Sequence, residues 1–167
     1  PPNNDRLVRG DTFVKQVGGA ELNVAVGVAL LGLRTGVISK LPSHDMGSFM
    51  KGKIRSYGVS DDFFMYDDSP SARVGIYYYE NGAYPRKPKV IYDRANSSFY
   101  SLKIDEIPEK AYTASRCFHT SGITLALSPK VRETTIEMIK RFKAAGTLVS
   151  FDLNFRGNLW TGEEAKE

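Results

Sequence analysis

Residues 116–154 read as strand, turn, helix, turn, strand, and that order leaves few folds open. Arg116 to Ser121 is a short strand that stops at Ser121-Gly122. Ser128 then supplies a helix N-cap, with Pro129 at the first helical position. Val131, Thr135, Met138 and Phe142 recur down one helical face, and Gly146 closes the helix. Thr147 to Asn154 is the second strand. A strand, helix and strand joined this tightly form a βαβ unit, which implies a parallel sheet with right-handed crossovers. In such sheets binding residues gather at the carboxyl ends of the strands.

The front of the chain alternates in the same way. Gly18-Gly19 opens a helix from Ala20 to about Leu31, with Ala20, Val24, Val28 and Leu31 at helical spacing and Gly32 as its stop. Thr35 to Leu41 reads as a buried strand. Met46 to Tyr57 reads as a helix with Phe49, Met50 and Ile54 on one side, and Val59 to Met65 leads into another strand. The middle differs. Arg73 to Tyr79 and Val90 to Arg94 are rich in β-branched and aromatic residues, and the loop between them holds Asn81-Gly82, Pro85 and Pro88. This is a β-hairpin, and two strands alone are marginal, so it must rest on something or pair with a third strand. Thr161 with Glu164 three residues on is a capping box, announcing a helix.

Composition removes several function classes. Of 167 residues, 41% are hydrophobic and 25% charged, ordinary values for a folded chain. No apolar run approaches the ~18 residues of a membrane span, and the polar start, Pro1 to Arg6, does not resemble a signal peptide. One cysteine excludes an internal disulfide framework and fits a reducing, cytoplasmic setting. With Cys117 and two histidines, His44 and His119, a zinc site is not expected. Cys117 reads as a buried small hydrophobe, His44 as a loop residue and His119 as a satisfied core or rim residue. The net charge of +4 is diffuse. Arg86-Lys87-Pro88-Lys89 is a solvated loop rather than a nucleic-acid patch, so neither a nucleic acid nor a membrane is an expected partner.

Three stretches could carry chemistry. Gly18-Gly19 at a helix start lets a ligand approach free amides, and Asn23 lies one turn further in; a plain tight turn with Asn23 solvated is the alternative. In the hairpin, Tyr77 and Tyr79 share a face, as do Tyr92 and Arg94. Such a face could close on a small anion through the guanidinium fork and the hydroxyls, or be cross-strand packing with a surface arginine. In Phe151-Asp152-Leu153-Asn154-Phe155-Arg156, alternation points Asp152 and Asn154 to one side at the end of a strand, with Arg156 in the following loop. A helix-capping role for the aspartate is the alternative.

Together these motifs resemble a known family. Gly18-Gly19-Ala20-Glu21-Leu22-Asn23-Val24-Ala25 followed by Leu31-Gly32 is similar to the first signature of the ribokinase-like (PfkB) carbohydrate kinases. Glu21 in that motif, Arg73 to Tyr77, His119 to Leu127, and Asp152 to Arg156 with Leu159-Trp160 are most like 2-keto-3-deoxygluconate kinases. The resemblance implies a three-layer α/β/α sandwich with a mainly parallel sheet and a small β-sheet lid, of which residues 1–167 are the N-terminal part, with lid strands around 73–79 and 90–94. It implies ATP-dependent phosphorylation of a sugar-acid hydroxyl, with Mg²⁺ accompanying ATP. Gly18, Gly19 and Asn23 would hold substrate hydroxyls, and Asp152 and Asn154 would line the same site. Tyr77, Tyr92 and Arg94 would come from the lid, with Arg94 near the carboxylate. Ile123 would offer its backbone at a strand end. Arg156 would lie between substrate and transferred phosphoryl group, touching the nucleotide side and stabilising developing charge.

Family members also carry a strand ahead of the position of Pro1-Pro2 and a second half with a Gly-Ala-Gly-Asp anion hole and the ATP pocket. Neither is in this sequence, so the catalytic base and most nucleotide contacts are expected outside these 167 residues, and this stretch alone is expected to be inactive. The competing functions are a fructokinase or other sugar kinase of the family, and a non-catalytic sugar-acid-binding or dimerisation module, since the lid often serves as a homo-oligomer interface.

Overall fold

The computed structural model describes residues 5–166. Its elements are α1 (Ala20–Leu30), β1 (Ser39–Pro42), α2 (Asp45–Ser56), β2 (Phe64–Asp67), β3 (Ile76–Glu80), β4 (Lys89–Asp93), α3 (Glu109–Thr113), β5 (Cys117–Ser121), α4 (Gly122–Ala126), α5 (Pro129–Ala144) and β6 (Leu148–Asp152). β1 and β2 pair in parallel across α2, and β5 and β6 pair in parallel across α4 and α5. β3 and β4 form an antiparallel hairpin. A parallel bridge between Gly36 and Ser60 carries the first ladder back towards the expected start of its strand at Thr35.

Strand alternation sorts side chains into two cores. Val37 and Leu41 of the β1 region and Phe64 of β2 pack with Leu22 and Ala25 of α1 and Ile54 of α2. Their neighbours Ile38, Phe63 and Met65 turn the other way, joining Phe118 of β5 and Val149 of β6 around Tyr112, Met138 and Phe142. One set of helices therefore covers one face of the parallel strands and another covers the opposite face, which is the three-layer α/β/α arrangement. Phe142 stacks on Phe118 at 4.2 Å between ring centres and meets Tyr112 edge-on at 4.8 Å. Among the described residues no helix is long and apolar enough to cross a membrane.

α5 matches its sequence reading closely. Val131, Thr135, Met138 and Phe142 are its buried residues, and the Ser128 hydroxyl accepts from the Val131 N–H at 3.2 Å. Ser128→Ala is expected to destabilise the protein by about 1 kcal/mol, the usual cost of a lost N-cap. A denaturant titration reads it, and an unchanged midpoint would exclude the cap as a contributor.

Four expectations need correction. The buried residues of α1 are Leu22 and Ala25, whereas Val24 and Leu31 are exposed. This helix is apolar on almost every side, so periodicity could not select its inner face. Cys117 is exposed, because it opens β5 where the ladder begins. His44 is not a plain loop residue. It caps α2, its Nδ1 accepting from the Met46 N–H at 3.2 Å and its Nε2 lying 3.3 Å from the Ala72 carbonyl. The hairpin strands run Ile76–Glu80 and Lys89–Asp93: against the expected 73–79 and 90–94, the first starts three residues later and ends one later, and the second starts and ends one earlier. Arg73 instead clamps the hairpin root, donating to the Ala95 and Asp93 carbonyls and pairing with the Asp93 carboxylate at 2.7 Å. The turns at Ser98–Ser101 and Ile104–Glu106, with α3 and α4, lie outside the elements expected from sequence.

Among the described residues no third strand pairs with the hairpin. The segment before α1 lies against it: the Leu7 N–H donates to Glu80 Oε2 at 2.8 Å, and Phe13 meets Tyr78 edge-on at 5.6 Å. The Leu7 amide, joined by Arg86, holds the Glu80 carboxyl below its usual range against the opposing effect of burial. Thr161 and Glu164 form the expected capping box, each accepting from the other's amide at 2.7–3.2 Å.

Candidate functional site

Gly18 and Gly19 make the turn into α1. Gly19 has φ 150°, a conformation that favours glycine, and its residue position caps α1 without a side-chain bond, so the helix's first amides stay free for a ligand. A Cβ at Gly18 would lie 2.5 Å from the Tyr77 hydroxyl, so the hairpin touches the turn at that point. Tyr77 pairs with Tyr92 across the hairpin, their ring centres 6.2 Å apart. The Arg94 guanidinium sits over the Tyr92 ring at 4.5 Å. Among the described residues no carboxylate pairs with Arg94. Burial raises the Tyr100 phenol, and the nearby Arg94 charge acts against that rise. Gly18, Tyr77, Tyr92 and Arg94 thus form one continuous surface.

A second group lies at the carboxyl ends of β5 and β6. Ser121 and Asp152 are register partners there. Gly122 follows Ser121, and a Cβ on it would lie 2.1 Å from the Leu153 carbonyl oxygen. Ile123, expected at a strand end, occupies the first turn of the short α4. Glu21, in the first turn of α1, ties this group to the glycine turn. Its Oε1 accepts from the Ser121 hydroxyl at 2.7 Å and the Thr124 hydroxyl at 2.6 Å.

The expectation that Asp152 and Asn154 project together by strand alternation is not met. Pairing ends at Asp152, and Asn154 turns into a left-handed conformation with φ 36°. The Asn154 N–H donates to Asp152 Oδ1 at 3.0 Å, so the aspartate caps the strand's exit. Arg156 follows on an exposed turn, and its Nη1 donates to its neighbour's carbonyl at Phe155, 3.3 Å away. Asn23 is exposed on α1, one turn beyond the glycines. His119 bonds Ser150 Oγ through Nδ1 at 3.0 Å, a satisfied strand histidine. Among the described residues no three histidine, cysteine or carboxylate groups converge as a metal site.

The glycine turn, the hairpin face and the β6 exit are each visible in local sequence, whereas the link between them is not. Glu21 stood inside a recognised motif without a physical role, because its partners lie 100 and 103 residues away and no local spacing reveals them.

The family model described as pfkB family carbohydrate kinase matches residues 2–167. A 2-dehydro-3-deoxygalactonokinase from Haloferax volcanii is 38% identical over 167 residues, covering 100% of this chain and 52% of the relative. The crystal structure of a 2-dehydro-3-deoxygluconokinase from Thermotoga maritima superposes with a TM-score of 0.92 at 37% identity, covering 98% of this chain and 50% of that one. An uncharacterized sugar kinase from Pyrococcus horikoshii, solved in complex with ATP, superposes with a TM-score of 0.82 at 27% identity over 97% of this chain and 51% of that one. The chain spans about half the length of these relatives.

Proposed function

The chain belongs to the pfkB family of carbohydrate kinases, and from that premise we propose that it supplies the sugar-binding face and lid for ATP-dependent phosphorylation of a hydroxyl of 2-keto-3-deoxygluconate. The observation that carries the choice of a sugar acid is Arg94. Its guanidinium lies over the Tyr92 ring, lacks a carboxylate partner among the described residues, and joins the glycine turn through Tyr77. A neutral sugar offers such a cation only hydroxyl acceptors, whereas a carboxylate takes two parallel charge-assisted hydrogen bonds from it. Relatives named for two epimeric keto-deoxy acids, the galactonate and the gluconate, support the same substrate class.

In this reading the free amides at Gly18 and Gly19, with Asn23, hold sugar hydroxyls, as does the Ile123 backbone. Asp152 and Asn154 shape the edge of the site, and Arg156 reaches towards the phosphoryl group being transferred. Closure of the hairpin over the sugar excludes water, which otherwise competes as phosphoryl acceptor. ATP is the phosphoryl donor, which places the reaction in the cytoplasm. Mg²⁺ would accompany ATP, its ligands coming from the nucleotide and from residues other than the described ones. The exposed Tyr79 and Val90, register partners on one face of the hairpin, give a second copy of the chain an apolar patch to cover, which is the proposed homo-oligomer contact.

A coupled ADP assay on the complete gene product, comparing 2-keto-3-deoxygluconate, its galactonate epimer, fructose and ribose, tests the reading. Fructose preferred by a wide margin would overturn it. Arg94→Ala is expected to raise KM for the keto acid by about 10- to 100-fold, the scale of a lost charge-assisted pair, and to leave turnover of any neutral sugar alone. An unchanged keto-acid KM would remove Arg94 from the site.

A further inference from the structure

Ser121 is wholly buried and Thr124 is 9% exposed, and buried hydroxyls need acceptors. Both donate to one atom, Glu21 Oε1, across two short bonds. Glu21 sits in the first turn of α1, where the helix dipole favours an anion, two residues after Gly19. Its two donors flank Gly122 and Ile123. The carboxylate therefore spans the two backbone segments that, on the reading above, must hold opposite sides of the same sugar.

We propose that Glu21 is a positioning residue that fixes the Gly18-Gly19 turn at a set distance from the β5–α4 junction, so that both segments meet the sugar acid at once. It acts through its acceptor oxygen and does not touch the substrate. Two hydroxyl donors on Oε1 also draw charge away from a carboxylate that would otherwise oppose an anionic ligand. Without it each segment keeps its own fold, since α1 and α4 close their own backbone bonds, but their separation loosens. The cost falls on sugar binding, because displacements of about 1 Å at a positioning group are enough to weaken a preorganised site.

This inference rests on the sugar-site reading, and steady-state kinetics on the complete protein, run with whichever sugar it prefers, tests it separately. Glu21→Ala is expected to raise the sugar KM by about tenfold, with the ATP KM and kcat changing less than about twofold. Glu21→Gln keeps an acceptor oxygen and is expected to restore most of the affinity. Thr124→Val is expected to raise the sugar KM by about threefold in the native background and to add nothing in the Glu21→Ala background, since the shared bond is already gone. An unchanged sugar KM in a folded Glu21→Ala protein overturns the proposal. So does an equal rise in both KM values, or a Glu21→Gln variant as damaged as the alanine. If Glu21→Ala does not fold, Thr124→Val and Glu21→Gln decide on the same criteria. A change of preferred sugar overturns the substrate assignment and leaves the Glu21 test intact.

Discussion

Replacing Gly122 by alanine is expected to destabilise the protein by about 3 kcal/mol or more, at the upper end of what overpacking costs. The added Cβ would sit 2.1 Å from the Leu153 carbonyl oxygen, 3.2 Å from its carbonyl carbon and 3.3 Å from the Trp160 ring. Two of those three contacts are backbone, which cannot swing aside as a side chain can. Relief requires the β6 exit to move away from the β5 exit, and Ser121 and Asp152 are the last paired residues of that ladder. The same displacement shifts Ile123, loosens the Ser121 and Thr124 bonds to Glu21, and re-aims the turn that carries Arg156. Stability and sugar binding should therefore fall together. Gly27→Ala provides the contrast. Nothing lies within 4 Å of a Cβ there, and the position is inside α1, so alanine should stabilise by about 0.5–1 kcal/mol. Chemical denaturation of both variants checks the pair, and a Gly122→Ala protein as stable as the parent would disprove the close approach.

The legibility of the sequence followed the range of the interaction. α5 was readable in full because its cap, its N1 proline and its buried stripe are all local. The hairpin was readable because strand propensity and a glycine and proline-rich loop suffice to announce one, whereas the Tyr77 and Tyr92 pairing depends on a register that the long loop left open. α1 was readable as a helix but not as a face, since Val24 and Leu31 look as apolar as Leu22 and Ala25. At the β6 exit, alternation failed at the residue where the strand stopped, because Asn154 leaves the extended region and its amide turns back onto Asp152. The Glu21 bridge was illegible for a different reason. A carboxylate in a first helical turn looks like a solvated residue until the fold delivers Ser121 and Thr124 to it.

Arg156→Ala is expected to lower kcat by about 10²- to 10³-fold, the scale of a removed charge-stabilising donor, while the sugar KM changes little. Arg156 follows a turn fixed by the Asp152 to Asn154 bond, and its guanidinium makes one long bond, to the Phe155 carbonyl. Among the described residues no carboxylate neutralises it, so its charge is available to a ligand. On the proposed reading it meets charge that grows only as the phosphoryl group transfers, so its loss raises the barrier without weakening ground-state binding. Arg156→Lys keeps the charge but not the planar fork, and should recover part of the rate. Arg94→Ala should show the opposite split, with KM rising and kcat held, because its partner is a carboxylate present throughout the reaction. Measuring kcat and KM for both variants with one substrate separates the two arginines. If Arg156→Ala instead raises KM and spares kcat, the residue binds sugar and the assignment of phosphoryl-charge stabilisation fails.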